Sequence, residues 1–168
     1  MAVTESANTT LDAQLCFALH SASRAITAGY RRGLAPLGLT YSQYLVLLVL
    51  WEHGPVGMGD LGRALHLDSG TLSPLLARLE SHGWVHRRRR DEDERTVEVA
   101  CTPEGAALRA PALAVQARVE QDTGLGGDDL AALRGDLTAL AERLRLAEDR
   151  ADGGVDQAAT AGSTTWER

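Results

Sequence analysis

Cys16 stands in an apolar run, Leu15-Cys16-Phe17-Ala18-Leu19, where a thiolate would be a nucleophile toward peroxides. A free cysteine on an apolar helix face is by default a small buried hydrophobe, and the residues alone leave that reading open. Cys16, Leu19, Ser23, Ile26 and Tyr30 follow i, i+3, i+7, i+10, i+14 spacing, one stripe of a helix. Cys16 and Tyr30 therefore share a face, but fourteen residues at about 1.5 Å rise separate them by roughly 21 Å. They cannot meet within one chain. The second cysteine, Cys101, closes an alternating stretch and is expected to be core filler.

A second set of residues could read nucleic acid. Small hydroxyls at Ser69, Thr71 and Ser73 allow close approach to phosphates and base edges, and Arg78, further along, can reach a phosphate or a guanine. Arg87 opens a run of four arginines, and Arg95 lies beyond an acidic stretch from Asp91 to Glu94. An arginine at such a hairpin tip suits a narrow minor groove, and Asp93 is spaced to hold it.

The elements that position these residues follow from periodicity and turn chemistry. Residues 1–9 are small and polar and are expected to be disordered. Thr9 or Thr10 can cap a first helix that runs to about Arg32, with Asp12 in its first turn, and Gly33 with Pro36-Leu37-Gly38 ends it. Thr40-Tyr41-Ser42-Gln43 fits a capping box and opens an apolar helix over Tyr44 to Trp51. A short helix over Met58–Leu65 precedes the turn His66-Leu67-Asp68-Ser69-Gly70, and Leu72, Leu75, Leu76 and Leu79 mark a helix from about Thr71 to His82. Pro74 removes one donor near its start. Trp84–Arg87 and Thr96–Cys101 read as paired strands around a charged tip, Arg90 to Arg95. Thr102-Pro103 starts another helix, Pro111 should break or kink it, and Asp128-Asp129 opens a last amphipathic helix. From Asp149 the Gly/Ala/Thr-rich sequence predicts a disordered tail.

The order is mainly α with a small β hairpin: a winged helix-turn-helix with helices added at both ends. In such a unit the second helix of the turn enters the major groove. Composition agrees with one compact domain plus an arm, since 44% of the 168 residues are hydrophobic but only 4% aromatic. A net charge of −6 argues against a generic nucleic-acid binder, although the charge is clustered and every fixed cation is an arginine. No stretch approaches the roughly 18 to 20 apolar residues of a membrane span, and Met1–Ser6 lacks signal-peptide features. A cytoplasmic location without membrane contact is expected. Two cysteines and five scattered histidines make no metal-ligand spacing, so neither a metal nor a cofactor is expected.

The stretch Leu61–Gly105, with Asp68-Ser69-Gly70-Thr71-Leu72-Ser73-Pro74, the Asp93-Glu94-Arg95 wing and Thr102-Pro103-Glu104-Gly105, resembles the MarR-type regulators. Leu15–Leu19 together with Leu39–Glu52 is similar to the organic hydroperoxide resistance regulators within that family. The resemblance covers about residues 11–146. It implies a homodimer that represses a gene from double-stranded DNA at a pseudo-palindromic operator and leaves when its N-terminal cysteine is oxidised. It also implies that Tyr30 and Tyr41 stand beside the Cys16 thiol, with the Tyr30 that meets Cys16 coming from the other subunit. A phenol that donates to sulfur favours the thiolate, and a surround of Phe17, Leu19 and Trp51 would suit an organic hydroperoxide. The DNA-facing residues it implies are Ser69, Thr71, Ser73, Arg78, Asp93 and Arg95, and Arg87 on the first wing strand is expected to join them. Cys101 does not match the position of a resolving thiol in two-cysteine relatives, so a low-molecular-weight thiol is expected on oxidised Cys16.

On this reading residues 10–36 form a dimerisation and sensor helix, 37–105 the DNA-binding domain, 106–148 C-terminal dimerisation helices and 149–168 the tail. Three alternatives stay open. The same fold could release DNA on binding a non-oxidising small molecule, with Cys16 inert. A thiol peroxidase is disfavoured because no Thr/Arg or His constellation accompanies Cys16, so no enzymatic activity is expected. A winged helix, or a helical core with a solvated hairpin, could also serve protein contacts alone.

Overall fold

The computed structural model describes the backbone of residues 10–90 and 93–159, and the side chains of 10–88, 97–148 and 150. The chain divides into two compact units, Met1–Asp122 and Thr123–Arg168.

In the first unit a single 3-10 turn, Leu11–Ala13, precedes helix α1, Leu15–Leu34. Thr10 holds the cap position of that turn without a capping side-chain bond, so the expected cap and helix start are both displaced. The physical reason is local: Gln14 is extended and interrupts the helical backbone, so α1 nucleates anew at Leu15. At the other end Pro36 sits in a 3-10 turn and Gly38, at φ 72°, adopts the left-handed conformation that glycine tolerates. Helix α2, Tyr41–His53, begins as expected with a capping box. The Gln43 amide N–H donates to Thr40 Oγ1 at 3.3 Å, and the Thr40 amide N–H donates to Gln43 Oε1 at 2.9 Å.

Helices α3, Met58–Leu65, and α4, Ser69–Ser81, form the helix-turn-helix. Asp68 caps α4, so the helix starts two residues before Thr71 and runs unbroken through Pro74. Strands β1 (Val56–Gly57), β2 (Val85–Arg90) and β3 (Asp93–Cys101) form an antiparallel sheet in the order β1-β3-β2. Both wing strands are longer than the hydrophobic pattern indicates, because ladder pairing extends into the arginine and acidic runs, with an irregularity between Arg89 and Arg90. β1 has no alternating signature at all. Its two residues are recruited by backbone pairing, Val56 with Val99 and Gly57 with Glu98.

The core between α2, α3, α4 and the sheet is aliphatic. Leu34, Val46, Leu47, Leu61, Leu76, Leu79 and Val99 are fully buried, each contributing roughly 1.5 to 3 kcal/mol of transfer free energy. Helix α5, Pro103–Ala107, is capped by Thr102, whose Oγ1 accepts from the Gly105 amide and whose hydroxyl donates to the Gly83 carbonyl at 2.6 Å. Helix α6, Arg109–Asp122, follows after a break at Leu108. Pro111 explains the break, since it has no N–H to give the Ala107 carbonyl. α6 lies against α1, where Gly29 meets Val119 and Gly33 meets Val115.

The second unit is helix α7, Gly127–Ala159. It continues past Asp149, where a disordered tail was expected, because a formed helix propagates at one hydrogen bond per residue even through a weak stretch. Leu133, Leu137 and Leu144 are exposed along it. Residues 1–9 and the end of the expected tail, 160–168, lie outside the described residues. No single helix among the described residues is long and apolar enough to cross a membrane.

Candidate functional site

Tyr30 on α1 and Tyr41 and Tyr44 on α2 form one aromatic cluster. The ring centroids of Tyr30 and Tyr41 are 4.8 Å apart, those of Tyr30 and Tyr44 5.6 Å, and those of Tyr41 and Tyr44 6.3 Å. Tyr44 is buried, and its hydroxyl donates to Gln116 Oε1 at 2.7 Å, while Gln116 Nε2 donates to Glu120 at 2.9 Å. A polar chain from α6 thus fixes the ring on which Tyr30 stacks. Burial pushes the Tyr30 phenol up to about 12, with help from Tyr44, Tyr41 and Glu120. Burial likewise raises Tyr41, and raises Tyr44 together with Tyr41 and Glu120. All three phenols therefore keep their protons at neutral pH and can act as donors. Among the described residues the Tyr30 and Tyr41 hydroxyls make no hydrogen bond, so both donors are available to a ligand or to another chain.

Cys16 is not in this cluster. It is exposed in the first turn of α1, with Leu15 59% and Phe17 39% exposed beside it. Trp51 is not its neighbour either: the indole N–H donates to the Gly105 carbonyl at 3.2 Å, and the ring packs against Tyr44 at 6.2 Å. Tyr30 and Tyr41, both expected beside the thiol, lie against each other within one chain, and Cys16 stands fourteen residues before Tyr30 on the unbroken helix α1.

Cys101 occupies a different environment. It ends β3, half-buried, with its thiol directed at the Trp84 carbonyl at 3.6 Å. Burial raises its pKa, opposed in part by a hydrogen bond with Trp51. A thiol held protonated in this way is a poor nucleophile.

Four of the residues expected to face DNA lie on α4. Asp68 Oδ1 accepts from the Thr71 amide at 2.8 Å and Oδ2 accepts from the Thr71 hydroxyl at 3.0 Å. These bonds hold the Asp68 carboxyl below the usual carboxylate range. They also commit the Thr71 proton, leaving its oxygen as an acceptor toward a base or sugar. Ser69, Thr71 and Arg78 are exposed on α4 and Ser73 is half-buried; Thr71 and Arg78 share one face of the helix, and Ser69 and Ser73 another. Arg87 on β2 is not free in this state. Its Nε and Nη2 donate to Glu80 Oε2 at 2.9 and 2.5 Å, and its amide N–H donates to Glu80 Oε1 at 3.2 Å. The pair ties wing to reading helix and lowers the Glu80 pKa. The backbones of Asp93 and Arg95 fall in β3, and their side chains lie outside the described residues.

Sequence reasoning missed Tyr44, Gln116 and Glu80. Tyr44 follows Tyr41 by three residues on one helix, and Gln116 is the polar residue in the run Ala112-Leu113-Ala114-Val115-Gln116, so both carried a local signal. Glu80 carried none, because its partner lies across a turn.

The MarR family's sequence profile matches residues 39–97, the span from the start of α2 through most of the wing. Over 132 residues the chain is 42% identical to the organic hydroperoxide resistance transcriptional regulator of Bacillus subtilis (strain 168), covering 79% of this chain and 90% of that one. Among solved structures it resembles reduced AbfR bound to DNA, at TM-score 0.66 and 36% identity over 80% of this chain and 93% of that one. A mutant MarR from E. coli complexed with operator DNA superposes at TM-score 0.69 and 29% identity, over 75% and 92% of the two chains. Sequence and fold agree: the chain belongs to the MarR family of DNA-binding transcriptional regulators, and within it to the organic hydroperoxide resistance type.

Proposed function

We propose that this regulator is a homodimeric repressor that senses organic hydroperoxides through Cys16 and then releases its operator. The observation that carries the reading is the Tyr30–Tyr41 pair: two protonated phenols 4.8 Å apart, with hydroxyls unengaged among the described residues. Cys16 lies fourteen residues from Tyr30 on the same stripe of α1, so the thiol that these phenols serve belongs to a second copy. Hydrogen bonds from both phenols favour the thiolate. The thiolate attacks one peroxide oxygen, the O–O bond breaks, sulfur is oxidised to sulfenic acid, and the alkoxide takes a proton and leaves as the alcohol. A low-molecular-weight thiol then condenses with the sulfenic acid, giving a mixed disulfide and water. Cys101, held protonated against Trp84, is not the resolving group.

Ser69, Thr71, Ser73 and Arg78 read the operator from α4, and Asp93 and Arg95 act from the wing. Arg87 supports them: with Nε and Nη2 on Glu80, its Nη1 remains for a phosphate. The N- and C-terminal helices supply the dimer contacts and 37–105 the reading unit. A second reading, release by a non-oxidising small molecule, is favoured by one feature, an open cleft of about 640 Å³ that Met58, Arg63, Leu67 and Leu72 line beside α4.

The test is fluorescence anisotropy on a labelled fragment of the upstream region, with an organic hydroperoxide added and then dithiothreitol. Release that reverses, and that Cys16→Ser abolishes, is the expected result. Binding that ignores the oxidant would overturn the thiol switch and favour the cleft.

A further inference from the structure

Pro74 is exposed in the second turn of α4, where a proline deprives a helix of one backbone hydrogen bond. The core does not call for it, because Leu72, Leu76 and Leu79 supply the buried side. At about 3.6 residues per turn, Gly70, Pro74, Ala77 and Ser81 fall on the side opposite those leucines. All four are exposed, with Pro74 at the centre of that side. The Ser81 hydroxyl donates to the Arg78 carbonyl at 2.8 Å, so its proton is committed within the helix. The outermost line of α4 therefore presents no free side-chain donor. Hydrogen-bonding residues flank it instead, Thr71 and Arg78 on one side and Ser69 and Ser73 on the other.

From this strip we infer that α4 reads thymine 5-methyl groups in the major groove through Pro74 and Ala77. The inference rests on the proposed reading of the operator by α4, and adds which bases that helix selects. The second helix of a helix-turn-helix enters the groove, and its outermost line comes closest to the base edges. An A·T pair presents the thymine methyl there, and an apolar side chain is its complement. A G·C pair presents N7 and O6 acceptors and an N4 donor in its place. Facing Pro74 and Ala77, those groups would lose water without gaining a partner, which penalises G·C at the same positions. Shape agrees with chemistry. Glycine, proline and alanine are all short, so nothing along the strip holds the helix away from the bases.

The experiment replaces thymine by uracil, one position at a time, in the labelled upstream fragment. Uracil keeps the pairing and the hydrogen-bond pattern and lacks only the methyl. Anisotropy is read for the wild-type chain, for Pro74→Ala and for Ala77→Gly. Wild-type affinity is expected to fall about fourfold at each contacted thymine, the loss of one buried methyl, and about fifteenfold when the symmetric position carries the change too. Pro74→Ala regains a helical N–H and therefore folds. In that variant the loss at one such thymine is expected to shrink below about twofold, and in Ala77→Gly the loss at a neighbouring one. Wild-type affinity that ignores uracil at every position would overturn the methyl contacts, as would losses that stay the same in both variants. Either outcome leaves operator reading by α4 standing, provided that an unrelated fragment of equal length binds more weakly. Wild-type binding no tighter to the upstream fragment than to unrelated DNA would overturn that operator reading, and the methyl contacts with it.

Discussion

At the scale of single residues, the proposed thiol switch requires phenols that stay protonated. Each hydrogen bond from Tyr30 or Tyr41 to a thiolate is charge-assisted and worth roughly 1.5 kcal/mol, about tenfold in rate if it is made in the reactive state. Tyr30→Phe and Tyr41→Phe are therefore expected to slow sulfenic acid formation at Cys16 about tenfold each, with operator affinity of the reduced protein unchanged. Stopped-flow oxidation followed by a sulfenic-acid trap would check this. The same phenol sets an alkaline limit. Tyr30 titrates near 10 when unfolded and at about 12 when folded, so the native state holds the proton more tightly. Its contribution is complete below about pH 10 and is lost as pH rises through 12. Tyr30→Phe should flatten that part of a stability–pH profile, and an absorbance titration of phenolate should lose its latest component. Asp68 and Glu80 act at the opposite end. Both are held below the usual carboxylate value, so their stabilisation is present above about pH 4 and is lost as pH falls through the lowered values. Asp68→Asn, which keeps the cap, and Glu80→Gln should each reduce the steepness of acid unfolding.

At the scale of elements, two glycines decide how closely segments approach. A Cβ at Gly105 would run into the Trp84 backbone carbonyl and crowd Cys101 Sγ, and that carbonyl cannot move without shifting the start of β2 against α5. Gly105→Ala is expected to cost about 3 kcal/mol in urea unfolding. Gly33→Ala meets a Val115 methyl, which a rotamer change can relieve, so about 1 kcal/mol is expected. How much of these elements the sequence disclosed depends on the kind of signal each carries. Local rules served well: the Thr40–Gln43 capping box, the α3 boundaries and the Pro111 break all follow from residues within one turn of each other. The Cys16–Tyr30 separation was legible for the same reason, as rise per residue is fixed. What pairs across distance was not. β1 exists only because β3 lies beside it, Glu80 holds Arg87 across a turn, and Trp51 turns toward Gly105 rather than toward Cys16. Such choices are made by tertiary packing, for which two residues at the end of a helix give no period to read.

At the scale of the whole molecule, an acidic chain must bind a polyanion through a small basic face. Net charge is −6, yet Arg78 on α4 and Arg87 and Arg88 on β2 are exposed. Operator affinity should then fall steeply with salt, with a slope of about −0.9 per phosphate neutralised, and Arg78→Ala should reduce that slope by about one if it contacts a phosphate. Anisotropy titrations at several salt concentrations would measure it. An unchanged slope with altered sequence preference would assign Arg78 to a base instead. One further consequence belongs to the Trp84–Cys101–Gly105 contact. Because that thiol is half-buried against a carbonyl while Cys16 stands exposed at the start of α1, a thiol-directed label is expected to react first at Cys16. A dye placed on the native protein without any mutation would settle first at that address, and its signal would then follow the N-terminal helix.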